Sequence, residues 1–217
     1  MGSVWAIIVA GGEGRRFGRQ NQFDLLRGKL VVEWSIDAAR NCVDGVVLVV
    51  PNNRLEEAAL HGEADVIVSG GATRSQSVRN GMRAIPGDVD VIVIHDAARP
   101  LASAALFAAV VEKVKSGSLA VIPGAAVTDT IKRVADDLVA ETLDRSTLVS
   151  VQTPQGFDAA TLIRAHADCA EATDDAALVE AMGIAVAVVP GEVMNKKITD
   201  VTDLLLFEAL ILAKESE

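Results

Sequence analysis

The sequence predicts a three-layer α/β fold built on a mostly parallel sheet. Apolar runs at 4–10, 46–50, 64–68, 91–94, 119–122 and 184–189 are continuous and rich in Val and Ile rather than alternating, the pattern of strands covered on both faces. Helical patterns fill the intervals, near 29–41, 53–61, 73–84, 103–116, 158–170, 174–182 and 202–214. Strand–helix alternation of this kind closes into a parallel sheet with helices on both sides. No internal repeat or long linker interrupts the 217 residues, so a single domain over 1–217 is expected.

In open sheets of this kind ligands bind beyond the carboxyl ends of the strands, and the residues after each apolar run are the informative ones. The first run leads into Gly11-Gly12-Glu13-Gly14-Arg15-Arg16-Phe17-Gly18. Such a loop can turn tightly and aim bare N–H groups at phosphate oxygens. No Gly-Lys-Ser/Thr follows at the distance a Walker A loop requires. The spacing Gly12–Gly14–Gly18 is also one residue too long for a dinucleotide fingerprint. With two arginines in an acidic chain, the loop reads as a triphosphate cradle.

The run at 64–68 is followed by Ser69-Gly70-Gly71-Ala72-Thr73-Arg74-Ser75-Gln76-Ser77-Val78. Thr73 or Ser75 can cap the next helix, while two glycines beside hydroxyls and an arginine equally suit a nucleobase held by main-chain groups. The run at 91–94 ends in His95-Asp96-Ala97-Ala98-Arg99-Pro100. A carboxylate there, facing a phosphate cradle, is placed to hold Mg²⁺ together with substrate phosphates. The plainer alternative for Asp96 is a turn cap paired with Arg99, and His95 reads as a packed residue rather than a general base.

Residues 127–152 break the rhythm. Thr130–Val134 and Leu138–Thr142, joined by Ala135-Asp136-Asp137, read as a hairpin inserted between two core strands. A lone two-stranded hairpin is marginal in water, so it should pack on a second subunit or fold back on its own domain. Lys132 and Arg145 can be solvated hairpin charges, and Thr173 with Asp174 can start a helix. Lys197 lies between the last strand and the last helix, at the end of the sheet where Asp96 should be, and reads as a phosphate ligand.

Half the residues are hydrophobic and 23% are charged, which excludes a disordered chain. Acidic residues outnumber basic ones 30 to 20, for a net charge of −10, and aromatics are 3% with no Tyr. That balance argues against a nucleic-acid binder or an anionic-membrane binder. Any cations that meet an anionic substrate must be gathered locally. Cys42 and Cys169 form no CxxC or metal spacing and read as reduced thiols. The N-terminal apolar run is too short to span a bilayer and has no basic leader, so a soluble, cytoplasmic protein is expected.

Taken together, HDAARP (95–100), DTIK (129–132), QTPQ (152–155) and NKKIT (195–199) resemble the 2-C-methyl-D-erythritol 4-phosphate cytidylyltransferase family, in the family's order, from Ala6 to about Ala213. The resemblance implies a Rossmann-like nucleotidyltransferase domain whose β-arm within 127–152 builds a homodimer. It implies transfer of CMP from CTP to 2-C-methyl-D-erythritol 4-phosphate, with release of pyrophosphate, in nonmevalonate isoprenoid precursor synthesis. By the same resemblance Ala10, Gly12, Gly14 and Arg16 surround the CTP phosphates, and Gly71, Ala72 and Ser77 hold the cytosine. Asp96 takes Mg²⁺ or another divalent cation, and Lys197 takes the α-phosphate. Thr130, Arg145, Thr153 and Thr173 meet the polyol phosphate, with Arg145 and Thr173 reaching it from the partner subunit. Arg16, Lys197 and Asp96 are then the catalytic groups, and Arg99 supports the Asp96 turn.

One position departs from the family. Its members usually carry Pro-Lys-Gln after the Gly-rich loop, where this chain has Gln20-Asn21-Gln22. Either Arg19 or Lys29 replaces that charge, or the chain is a slow member. Ribitol-5-phosphate cytidylyltransferases tend to have HDAVRP and DTIV where this chain has Ala98 and Lys132, which ranks them second. A catalytically silent nucleotide-binding homologue, motivated by Asn21, and a dinucleotide oxidoreductase, disfavoured by the glycine spacing, are the remaining alternatives.

Overall fold

The computed structural model describes residues 2–11, 21–61 and 64–215. Gly12, Gly14, Arg16 and Arg19 lie outside the described residues. In chain order the elements are β1 (Val4–Val9), β2 (Leu25–Leu26), β3 (Lys29–Leu30), α1 (Val31–Arg40), β4 (Gly45–Val50), α2 (Leu55–His61), β5 (Val66–Ser69), α3 (Arg74–Ala84) and β6 (Val91–Asp96). There follow α4 (Ala104–Lys115), β7 (Ala120–Ala126), β8 (Lys132–Ala135), β9 (Leu138–Thr142), β10 (Val149–Val151), β11 (Gln155–Asp158), α5 (Ala159–Ala165), α6 (Asp175–Ala181), β12 (Ala187–Pro190) and α7 (Val201–Glu215).

The main sheet runs β12, β7, a lane shared by β10 and β11, then β6, β1, β4 and β5. All neighbours are parallel except the shared lane, which runs antiparallel to β6 and β7. Because β4 pairs with one edge of β1 and β6 with the other, the sheet changes its direction of growth at β1. The crevice between the carboxyl ends of β1 and β6 is therefore where such a sheet binds ligands.

Alternation along β1 builds the three layers. Ala6 and Ile8 join the core beneath α1 and α4 with Ile36, Phe107 and Val110. Ile7 points the other way, toward Val78 of α3, Leu162 of α5 and Val179 of α6. A third cluster sets Phe207 and Ile211 of α7 against Leu26 of β2, Val31 of α1 and Ile198, so the last helix fixes the segment that carries Lys197.

Several boundaries differ from the sequence reading, each for a local reason. The strand at 64–68 starts at Val66, because the Asp65 carboxylate instead accepts the Val46 N–H and the Arg40 guanidinium. The helix at 29–41 starts at Val31, since Lys29 and Leu30 pair with Leu26 and Leu25. The helix at 158–170 ends at Ala165, capped by His166, and Cys169 adopts a left-handed φ of 53° that no helix continues through. The last strand is Ala187–Pro190 rather than 184–189; Ile184 and Val186 pack into the core from outside it. The lane β10–β11 was not anticipated at all. Its residues are short, polar-interrupted pieces on either side of the cis Thr153–Pro154 bond, and they carry no apolar run to announce a strand.

The expected hairpin is present as β8 and β9, a two-stranded sheet of their own. Asp136 and Asp137 both take positive φ, 48° and 62°, the backbone of a two-residue hairpin turn. Every residue of both strands is exposed, including Val134, Leu138 and Val139.

Candidate active site

Three carboxyl-terminal strand ends meet at the crevice. Beyond β1, Ala10 is buried; its N–H donates to the Val49 carbonyl and its own carbonyl accepts from the Gln22 amide. Beyond β5, the Gly70 turn approaches so closely that a Cβ there would lie 3.0 Å from the Ser77 hydroxyl and 3.5 Å from the Gly11 Cα. A side chain there would press on the Ser77 hydroxyl, while the two turns lie at van der Waals contact. Thr73 caps α3 by accepting the Gln76 N–H. The Ser77 hydroxyl donates to the Thr73 carbonyl at 2.9 Å and accepts the Gly71 N–H at 3.0 Å. Ala72 gives its N–H to the Gln76 side chain at 2.9 Å. Thr73 thus fills the capping role, and the N–H groups of Gly71 and Ala72 are spent on holding the turn itself.

Beyond β6 stands Asp96. Lys197 Nζ lies 2.7 Å from its Oδ2, and Arg74 Nε lies 3.2 Å from its Oδ1. Burial alone would raise the Asp96 pKa, but the Lys197 ammonium and the Arg74 guanidinium outweigh it and hold the carboxyl well below the usual carboxylate range. The sequence alternative, a cap paired with Arg99, is not what forms. Arg99 instead donates to the carbonyls of Asn195 at 2.8 Å and Val151 at 3.4 Å. These bonds tie the Asp96 turn to the segment that carries Lys197.

That segment is itself over-determined. Asn195 is fully buried and donates to the Gln152 side chain at 3.2 Å and the Thr153 carbonyl at 2.9 Å. Ile198 is buried in the α7 cluster and gives its N–H to the Ala98 carbonyl at 2.8 Å. The backbone on both sides of Lys197 is thus held, and its half-exposed side chain reaches Asp96. The Glu192 carboxylate accepts from the Ser103 N–H and hydroxyl, and its backbone is bracketed by the Gln152 amide.

His95 is a packed residue, as its sequence context suggested. It is wholly buried, tilted 5.0 Å from the Phe107 ring. Its Nε2 faces the Arg99 carbonyl at 3.3 Å and its Nδ1 faces the Thr153 hydroxyl at 3.1 Å. A carbonyl can only accept, so Nε2 carries the proton and Thr153 donates to Nδ1. The same Thr153 oxygen accepts the Asp96 N–H at 3.1 Å, so Thr153 is joined to the Asp96 turn. Burial pulls the His95 pKa down to about 4, and the ring is neutral at ordinary pH.

Sequence reasoning missed the far side of Asp96. Arg74 NH1 donates to Asp175 Oδ2 at 2.7 Å, and Asp175 Oδ1 faces His166 Nε2 at 3.1 Å. Asp175 and His166 are buried, and Asp175 is 101 residues from Arg74 in the chain. A charged pair beginning each of two helices was the available signal, but nothing local says that they meet. Thr173 is exposed on a loop fastened to α3 through Arg79–Glu171 and the Ala172 N–H to Ser75. Thr130 is exposed ahead of β8, and Arg145 donates to the Thr128 carbonyl. Lys29 does not present a spare charge, since it pairs with Asp37 and lies 5.7 Å from the Trp34 ring.

Asp96 suits a divalent cation. It offers hard oxygen donors, stays ionised, and sits alone at a strand end, which matches ions bound by one carboxylate and completed by substrate phosphates. Among the described residues no group of three or more His, Cys, Asp or Glu forms a metal cage, and none is needed for a cation shared with phosphates.

The geometry agrees with known proteins. A family model described as IspD, 2-C-methyl-D-erythritol 4-phosphate cytidylyltransferase, matches residues 4–213. The bifunctional enzyme IspD/IspF of Nitratidesulfovibrio vulgaris is 40% identical over 227 residues, covering 95% of this chain and 58% of that protein. The chain thus spans little more than half the length of such relatives. The 2-C-methyl-D-erythritol 4-phosphate cytidylyltransferase of Streptomyces coelicolor is 39% identical over 226 residues, covering 95% of this chain and 84% of that one. The crystal structure of 2-C-methyl-D-erythritol 4-phosphate cytidylyltransferase from Thermus thermophilus superposes with a TM-score of 0.82 at 34% identity, covering 98% of this chain and all of the other. On sequence and fold together, the chain belongs to the 2-C-methyl-D-erythritol 4-phosphate cytidylyltransferase family.

Proposed function

We propose that this chain transfers the cytidylyl group of CTP to 2-C-methyl-D-erythritol 4-phosphate. The observation that carries the reading is the meeting of Asp96, Lys197 and Arg74 beside the Gly70 turn at the switch point of the sheet. A phosphomonoester has a second pKa of about 6 and is largely dianionic at neutral pH. Its oxygen attacks the α-phosphorus of CTP, the bond to the β-phosphate oxygen breaks, and pyrophosphate leaves. No base is required, which fits a His95 held neutral in the core. The obstacle is repulsion between anions, and fixed cations lower it. Lys197, half-exposed and tethered only to Asp96, swings to the α-phosphate, and Arg16 meets the remaining phosphates. Asp96 would hold Mg²⁺, which when bound neutralises charge across the triphosphate. Ala10, Gly12 and Gly14 line the phosphate loop; Gly71, Ala72 and Ser77 shape the cytosine pocket.

Thr153 stands beside the Asp96 turn on the polyol-phosphate side. Thr130, Arg145 and Thr173 complete that side, with Arg145 and Thr173 supplied by the partner in a homodimer formed through the β8–β9 hairpin. The exposed Val134, Leu138 and Val139 support that assembly. The reading assigns residues 1–217 to one nucleotidyltransferase domain working in the cytoplasm. Among the described residues no helix is long and apolar enough to cross a membrane.

The test supplies CTP and Mg²⁺ with 2-C-methyl-D-erythritol 4-phosphate or ribitol 5-phosphate and follows pyrophosphate and the cytidylylated product. Product with the first at least tenfold faster than with the second is expected. The reverse order would assign the ribitol activity, and CTP binding without product would mark a silent homologue, the reading that Asn21 favours.

A further inference from the structure

We propose that Asp175 is a positioning residue for Asp96, acting through Arg74: by drawing one end of the guanidinium to itself, it keeps Asp96 available for a divalent cation held with nucleotide. The inference rests on the cytidylyltransferase reading and deepens it.

Asp96 and Asp175 share a single guanidinium. Arg74 offers Nε to Asp96 at 3.2 Å and NH1 to Asp175 at 2.7 Å. The shorter contact goes to Asp175, the carboxylate with no exposed surface, while Asp96 keeps the looser one. A planar guanidinium meets two carboxylates through separate nitrogens at fixed spacing, a span that the single nitrogen of an ammonium does not offer. His166, buried 3.1 Å away on the other oxygen, holds Asp175 from behind. Three helices meet in the arrangement. Arg74 begins α3, Asp175 begins α6, and His166 caps the carboxyl end of α5.

The consequence is electrostatic. Were Arg74 free to turn wholly onto Asp96, it would form a two-pronged pair with that carboxylate. Arg74 would then hold Asp96 by two short contacts in addition to the Lys197 pair, instead of the single 3.2 Å contact on Oδ1, and a cation would have to displace them. With Asp175 in place, the Asp96 Oδ1 contact is weak enough to yield. The Asp175 charge also offsets that of Arg74, which reduces the positive charge that would oppose a metal at Asp96. Partners one shell removed from a ligand typically change metal affinity about 10–100-fold when lost.

The experiment is calorimetric titration of CTP into the protein with and without Mg²⁺, which reads binding and not turnover. Asp175→Asn should leave metal-free CTP affinity within about twofold and shrink the tightening caused by Mg²⁺ by about tenfold. Arg74→Lys, which preserves the charge but not the span between the two carboxylates, should likewise shrink the Mg²⁺-dependent tightening and serves if Asp175→Asn does not fold. Loss of equal size with and without Mg²⁺, or no loss in either variant, would overturn the proposal. Failure of the unaltered protein to bind CTP at all would instead overturn the cytidylyltransferase reading on which it rests.

Discussion

At the scale of single residues, the site separates groups that do chemistry from groups that are merely buried beside it. His95 directly precedes Asp96 and would tempt assignment as a base, yet its ring is satisfied on both nitrogens and its pKa falls to about 4. An unfolded histidine titrates near 6.5, so between these values the unfolded chain binds more protons than the folded one, and stability must fall as pH drops. The contribution is fully present above about 6.5 and is lost as pH falls through the folded value; two to three pKa units correspond to about 3 kcal/mol. Urea unfolding at pH 7 and pH 4.5 should show this loss, and His95→Gln, although less stable at pH 7, should have a clearly flatter acid slope. Equal slopes would mean that His95 is not the titrating group. Asn21 is the other residue-scale departure. With Lys29 committed to Asp37, the charge that the family places there has no substitute from β3. Asn21→Lys should therefore raise pyrophosphate release from CTP, in keeping with the roughly 10²–10³-fold worth of a preorganised donor, as a coupled phosphate assay would record. An unchanged rate would point to compensation by another cation.

At the scale of elements, legibility followed periodicity. β1, β4, β6, α3, α4 and α6 lie where continuous apolar runs or helical patterns place them, because each buries a whole face and the sequence must encode that face. β10 and β11 were invisible because their place in the sheet comes from long-range pairing with β7 and β6, not from their own composition: β10 stays exposed and β11 is buried around Gln155 and Gly156. The turns beyond the strands were half legible. The residue types at Asp96 and Lys197 announced a site, and their approach to 2.7 Å followed from both lying at the same end of the sheet. The Arg74–Asp175–His166 chain was not legible, since its members belong to three helices and each is individually ordinary. The β8–β9 hairpin was legible from its turn, and its exposure gives it a testable role. Val134 and Val139 pair across the strands and so share one face, which is left in solvent within one chain. Val139→Glu places a charge in the middle of that face. Sedimentation should find the unaltered protein dimeric and the variant monomeric, with cytidylyl transfer lost in parallel if, as proposed, Arg145 and Thr173 are supplied by the partner. A variant that stays dimeric would move the interface elsewhere.

At the scale of the whole molecule, the proposed reaction would bring two anions together on a chain with a net charge of −10. Arg74 and Lys197 gather at one rim of the sheet, each paired with a carboxylate. Asp96 pairs with Lys197 and Arg74, so its charge has protein partners of its own and does not need a cation to compensate it. This distinguishes the site from a structural metal centre, whose binding energy is folding energy. Chelation with EDTA should therefore leave the thermal midpoint of the nucleotide-free protein unchanged within about 1 °C. Mg²⁺ alone should add little, CTP alone a small upward shift, and the two together a larger one, because a ligand stabilises the folded state in proportion to how tightly it binds. Turnover should vanish on chelation and return with Mg²⁺ without any refolding step. A midpoint that drops on chelation in the absence of CTP would mean that the cation belongs to the fold, and Asp96 could not then be the group that shares it with substrate.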